Sequence, residues 1–426
     1  MALSLKELIE REKSNYVRSW VVLGLIGLVM IFDVLTEGYV GATLGVGVLL
    51  AVLVPTVALR SYRMIVVWEV LAVALAALVV RELLRYQPVE LFGNYIVIAA
   101  ISLIVAVELY LYTPIEMNRR FAVLLVAMLT MTVATLWNLG QWLFDLTVGT
   151  GFLDSNYQLM IELVVATAAG LVGGVFFMLY LKQASAEGRH PSVSESPTKL
   201  RPQNQQSAPA EERRVSQLAA RLPVPEAYQR IGVRLLQLSM AALAGYGVVI
   251  ADFGLVLTGL IALGITFLPS LIQGRYNVPM GMGLTLWITL GVFLHTLGTA
   301  FFYGESFWFH NLAHGVSGSL IAGIGYATFR AIDEHSTSVR FPPRFMFVLI
   351  VIFVVSAGVA WEIMEFVTDE LFVAGDGEGL VFVQYGLADT LTDLLFAVIG
   401  SIVVGIWGTN SLLGVAAGVR EQMDDS

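Results

Sequence analysis

Twelve stretches of about twenty mainly apolar residues follow one another along this chain. A helix needs roughly that many to cross the hydrocarbon of a bilayer. They run at about 20–36, 38–59, 64–84, 91–112, 121–143, 158–181, 231–250, 253–273, 280–302, 307–332, 344–371 and 384–407. The pattern predicts an all-α fold, a polytopic transmembrane helical bundle of about 12 spans. Only 13% of the residues are charged, against about 25% in soluble domains, so a water-facing surface is excluded for most of the chain. The net charge of −9 argues against a nucleic-acid partner. The absence of cysteine excludes disulfides, thiolate zinc sites, iron–sulfur clusters and cysteine nucleophiles. Any metal must be held by imidazole, carboxylate, carbonyl or water.

The spans divide into two groups of six. Residues 1–19 are polar and amphipathic, with no small-residue cleavage site after the first apolar run, and predict a cytoplasmic interfacial segment rather than a signal peptide. A first six-helix half follows at 20–181. Residues 182–228 are rich in Ser, Pro, Gln, Glu and Arg and predict a disordered cytoplasmic linker. The second half occupies 229–408, and 409–426 is a cytoplasmic tail. Placing the N-terminus inside puts nearly all Lys and Arg on the cytoplasmic side and leaves Arg81 and Arg85 to the outer loops. Both termini are then cytoplasmic, in the plasma membrane.

The halves resemble each other. Trp137-Asn-Leu-Gly-Gln141-Trp-Leu-Phe-Asp145 aligns without gaps on Trp361-Glu-Ile-Met-Glu365-Phe-Val-Thr-Asp369. Pro55 and Pro269 recur late in each second span, and Glu162 with Gly173 answers Asp389 with Gly400. Six spans per half insert both copies the same way up, so the duplication is a parallel one. The first half reads as a scaffold. Asn138 and Gln141 stand where the second half has Glu362 and Glu365, Ala166 stands against Asp393, and Gly93 and Val97 against the histidines.

Those charges form the candidate site. His310 and His314 are four apart and share a helical face, as do Glu362, Glu365 and Asp369, and again Asp389 and Asp393. Ionisable groups inside a span are costly and point to function. With alternating span directions, all three groups fall in roughly the outer third of the bilayer at ~1.5 Å per residue. One cluster, facing the bundle interior and reachable from outside, is expected. Imidazole with several carboxylates suits a divalent metal such as zinc, manganese or iron. His310, His314, Glu362, Asp369 and Asp393 are the candidate ligands. Glu365 and Asp389 are the candidates for acid–base catalysis. A structural hydrogen-bond network, with Asp389 as a first-turn acid of its helix, is the plainer alternative.

The order of these motifs is familiar. A histidine opening one span, Trp361-Glu-x-x-Glu-Phe-x-x-Asp369 ending the next, then Tyr385-Gly-x-x-Asp389-Thr-x-x-Asp393 and a glycine-containing helix, resembles the YjdF-type inner-membrane proteins over residues 229–410. The resemblance implies a multi-pass membrane protein with an acidic, His-containing centre, and brings no established activity. Three functions are open. One is a metal-dependent hydrolase or transferase acting on lipid-type substrates. The others are a cation or proton-coupled transporter, and a non-catalytic membrane assembly or lipid-binding protein. The lipid bilayer is the one partner the composition requires.

Overall fold

Without water to satisfy them, backbone N–H and C=O groups in a bilayer must pair within their own segment, which makes helix the outcome for apolar stretches this long. The computed structural model describes residues 5–62, 64–87, 89–186, 225–276, 282–302, 307–336, 339–371, 384 and 386–411. It contains thirteen helices and no strand among those residues. They are α1 (Leu5–Leu35), α2 (Tyr39–Ala58), α3 (Trp68–Leu84), α4 (Glu90–Tyr112), α5 (Arg119–Val148), α6 (Asn156–Ala186), α7 (Glu226–Ile250), α8 (Phe253–Ile265), α9 (Leu268–Tyr276), α10 (Met282–Phe301), α11 (Phe307–His335), α12 (Pro343–Leu371) and α13 (Leu387–Ser411). Eight segments are long and apolar enough to cross a membrane: α2, α4, α5, α6, α7 and α12, the later part of α1, and α8 taken with the start of α9. Helix α3, at 17 residues, is shorter than these, and α3, α11 and α13 each carry ionisable residues.

One expectation changes, that of an unbroken eighth span. The N-terminal polar segment leads into the first span within one helix, α1, which runs unbroken from Leu5 through Leu35. Its Lys, Glu and Arg residues are good helix formers, and no Gly or Pro interrupts them before Gly24. The eighth expected span is broken instead. Helix α8 stops at Ile265 and α9 begins at Leu268. Pro269 lacks the N–H that would bond back to the Ile265 carbonyl, and its ring would clash there. Thr266 covers the break, donating to the Leu263 carbonyl at 2.7 Å and accepting from Gln237 Nε2 at 2.9 Å. Most of the expected linker (187–224), the 375–379 loop and residues 412–426 lie outside the described residues.

Helices α1–α6 form one compact unit and α7–α13 another. In the first, α1 packs on α2 and α3, α2 on α3 and α4, α3 on α4, α4 on α5 and α6, and α5 on α6. In the second, α7 packs on α8 and α10, α8 on α10, α10 on α11, α11 on α12 and α13, and α12 on α13. With α8–α9 counted as the second helix, the two neighbour patterns match pair for pair with one exception. Among the described residues, the α2–α4 contact has no counterpart of similar extent between α8 and α11.

Small residues set the closest crossings, as is usual between membrane helices. A Cβ on Gly400 would stand 2.9 Å from the Gly315 carbonyl oxygen, and one on Gly318 would stand 3.2 Å from Ala397 Cα. These contacts draw α11 against α13. The corresponding α4–α6 crossing is looser, with Gly173 3.8 Å from the Ala99 carbonyl oxygen by the same measure.

Candidate functional site

The α11–α13 crossing places His314 one turn before Gly318 and Asp393 one turn before Ala397. The two side chains therefore meet, with His314 Nε2 3.5 Å from Asp393 Oδ2. Glu362, on α12, is 2% exposed and feels the charge of Asp393. Gln384, which precedes α13, fixes Glu362 by donating Nε2 to its Oε2 at 3.0 Å and to its carbonyl oxygen at 3.1 Å. His314, Glu362 and Asp393 all line one cavity of about 260 Å³ inside the second unit. They lie six to nine residues from the ends of their helices, a depth of roughly 9–14 Å at ~1.5 Å per residue.

The rest of the wall is mostly apolar. Ile261, Ala262 and Ile265 of α8, Leu320 and Ile321 of α11, and Val354 of α12 surround its deeper part. His295 of α10 and Trp361 of α12 lie beside the acids, their rings edge to face with centroids 6.3 Å apart. Thr258 also lines the cavity. It is 4% exposed, and its Oγ1 has no hydrogen-bond partner among the described residues. No Lys or Arg is among the lining residues.

The other candidates sit around this core. Glu365 is buried one turn along α12 and accepts from Trp361 Nε1 at 2.8 Å. It does not line the cavity. Asp389 is in the first turn of α13, where the helix dipole favours an acid, and its charge acts on both Asp393 and Glu362. Asp369, half-buried near the end of α12, accepts from the Gln384 backbone N–H. His310 lies on α11 one turn before His314, and its side chain is outside the described residues, as are Tyr303, Glu305 and Tyr385. Among the described residues no three His, Asp or Glu side chains converge as a metal-ligating group.

Residues 231–412 match a family described as a predicted membrane protein, DUF2238. Residues 3–65 match a domain of unknown function, DUF8268. No curated protein and no solved structure matches the chain. The chain is a multi-pass membrane protein. The longer match takes in α7 to α13 and so every helix that lines the cavity.

The first unit has its own polar centre at the corresponding place. Tyr95 of α4 donates its hydroxyl toward Glu162 Oε2 at 2.6 Å and lies 2.8 Å from Asn138 Oδ1. Gln158 Nε2 donates to the other Glu162 oxygen at 3.0 Å. Nearer the helix ends is a second buried group. Arg81 was assigned to an outer loop from sequence, yet it lies in the last turn of α3 and is 1% exposed. It bonds Asp33 Oδ1 at 3.0 Å, Glu82 Oε2 at 3.0 Å and Asn94 Oδ1 at 3.2 Å. Arg85 bonds the Thr36 hydroxyl at 2.7 Å and Glu82 Oε1 at 2.9 Å. Space for the guanidinium groups comes from missing side chains. A Cβ on Gly41 would overlap the Arg81 head, and one on Gly38 would lie 2.8 Å from Arg85 Nη1. Counterions and room, not exposure, make a buried Arg81 tolerable.

Sequence reasoning missed Tyr95, Thr258 and Gln384. A single tyrosine or threonine in an apolar helix gives no periodic signal. Gln384 falls within the last expected span, where nothing marks it as the residue that holds Glu362.

Proposed function

We propose that the second unit takes a lipid-type molecule into the α8–α13 cavity and serves a hydrolase or transferase reaction on it. The polar end of that molecule lies against His314, Glu362 and Asp393, and its apolar part runs inward along Ile261, Ile265, Ile321 and Val354. What supports this is the cavity itself, with acids and imidazoles at one level and aliphatic walls beyond it. The imidazole and carboxylate of His314 and Asp393 suit proton transfer at a group held beside them. On the Lys and Arg asymmetry, both termini are cytoplasmic and the site opens toward the outer leaflet of the plasma membrane. The matching neighbour patterns of the two units support twelve spans arisen by parallel duplication. The match over 231–412 is in keeping with the resemblance to YjdF-type proteins.

A divalent metal is the second reading. It rests on His314, Glu362 and Asp393 sharing one cavity wall, a nitrogen–oxygen donor set suited to zinc or manganese. His310, one turn away on the same helix, is the further candidate ligand.

Gly291 allows the test. It lines the cavity, and a Cβ there meets nothing nearer than 3.8 Å, so Gly291→Leu fills the space without a backbone clash. Native mass spectrometry of protein released gently from membranes should find an amphiphile on the wild type and lose it in Gly291→Leu. Equal retention by both proteins would falsify cavity binding. Metal analysis of wild type and His314→Ala decides the second reading, which fails if the two contain the same amount.

A further inference from the structure

We infer that the cavity takes a lipid with a single alkyl chain, and that Thr258 binds an oxygen at its polar end. The inference rests on the amphiphile reading above. It adds the number of tails and a protein contact for the head.

The tail follows from shape. On α8, Thr258, Ile261, Ala262 and Ile265 are spaced to share one helical face, and all four line the cavity. Along α11 the wall runs from His314 to Ile321, and along α12 from Glu362 back to Val354. Each of these three stripes spans roughly 10–12 Å at ~1.5 Å per residue. The volume of about 260 Å³ falls just under the ~300–1,000 Å³ of sites that enclose drug-sized ligands. It suits one alkyl chain and not two.

The head contact follows from one hydroxyl. Thr258 begins its stripe as His314 begins that of α11, with polar residues first and aliphatic ones last. A threonine inside a helix can donate to the carbonyl one turn back. Here Thr130, Thr132, Thr135, Thr167, Thr289 and Thr296 all do so, at 2.7–2.9 Å. Thr258 does not. It is 4% exposed, and its Oγ1 has no hydrogen-bond partner among the described residues. Buried hydroxyls are nearly always bonded. The backbone bond that serves Thr289 and Thr296 on α10 is forgone on α8, at the edge of a cavity. A hydroxyl released from its own helix there is placed for a group that enters. A hydroxyl or ester oxygen accepts from it, and a hydrocarbon end offers it nothing. A hydroxyl head also has its own proton to give to a carboxylate such as Glu362.

The test uses the full-length protein in nanodiscs with decanol, decane and didecanoylglycerol. Binding is read by native mass spectrometry and thermal shift. Decanol should bind wild type about fivefold more tightly than decane, or better, and the two-chain didecanoylglycerol should not bind. Thr258→Val keeps the shape and removes the hydroxyl. It should weaken decanol binding about fivefold, which corresponds to ~1 kcal/mol, the worth of one hydrogen bond. Decane binding and the unfolding temperature of the empty protein should not fall, which also shows that the variant is folded. Thr258→Ser restores the hydroxyl and should hold decanol within about twofold of wild type. Equal decanol binding by wild type and Thr258→Val overturns the Thr258 contact and leaves amphiphile binding standing. Didecanoylglycerol binding as tight as that of decanol overturns the single tail in the same way. Failure of every probe to bind wild type, or undiminished binding to Gly291→Leu, overturns both readings.

Discussion

The polar centres of the two units occupy like positions in like sets of neighbouring helices, and they are finished in different ways. In the first, Tyr95 reaches Glu162 and Asn138, and Gln158 takes the remaining carboxylate oxygen. Helix α2 lies against α4, and Asn138 is fully buried. In the second, Glu362 and Asp393 line a cavity whose wall is shared by α8 and α11. One centre is bonded mainly by protein groups, with Asn138 Nδ2 left without a hydrogen-bond partner among the described residues. The other brings the buried acids Glu362 and Asp393 together beside open space, with His314 3.5 Å from Asp393. A bilayer tolerates the first arrangement as structure. The second borders a cavity of about 260 Å³, and that is where the two centres part.

The most severe way to break the comparison is to give the first unit the second unit's charge. Asn138→Glu puts a second carboxylate beside buried Glu162, in place of an amide that Tyr95 contacts. A loss on the order of 3–5 kcal/mol is expected, seen as a sharp drop in unfolding temperature in detergent or as failure to accumulate in membranes. Wild-type stability in this variant would remove the distinction between the centres. Arg81→Met comes next. It leaves Asp33 buried without its counterion and should cost about 3 kcal/mol or more, with much of that restored in an Asp33→Leu, Arg81→Met double variant. Tyr95→Phe is milder, since it deletes the hydroxyl shared by Glu162 and Asn138. About 1–3 kcal/mol is expected, with little change in amphiphile binding by the second unit.

Much of this architecture was legible beforehand because hydropathy reports length and polarity directly. Helix occupies most of each expected stretch, with the eighth broken between Ile265 and Leu268, and His314, Glu362 and Asp393 line one cavity. What escaped depends on three-dimensional fit. The break between α8 and α9 arises because Pro269 meets the Ile265 carbonyl, while Pro55, in the corresponding place, stays inside a continuous α2. Nothing local to the two prolines tells them apart. Arg81 reads as a loop residue until Gly41, Gly93 and Asp33 are seen around it. The cavity has no sequence signal, because it depends on how α8, α10, α11, α12 and α13 pack together. Spacing also could not rank carboxylates on one helical face. It left Glu362 and Glu365 equivalent, whereas the first lines the cavity and the second is held by the Trp361 indole.

The smallest expected change is the most informative. Glu362→Gln removes a charge that no Lys or Arg on the cavity wall offsets, and Gln keeps the shape and an oxygen for the Gln384 amide. A buried carboxylate engaged in a protein ion pair would be missed by about 3 kcal/mol or more. Here the repulsion from Asp393 is relieved as the charge goes, so the stability of the empty protein should stay within about 1 kcal/mol of wild type or rise. The same substitution should weaken decanol binding severalfold. Stability and binding then move in opposite senses, which is the behaviour of a residue kept for a ligand. Should the empty protein instead lose stability as Arg81→Met does, Glu362 is a structural acid like Glu162, and the two centres differ in composition but not in kind.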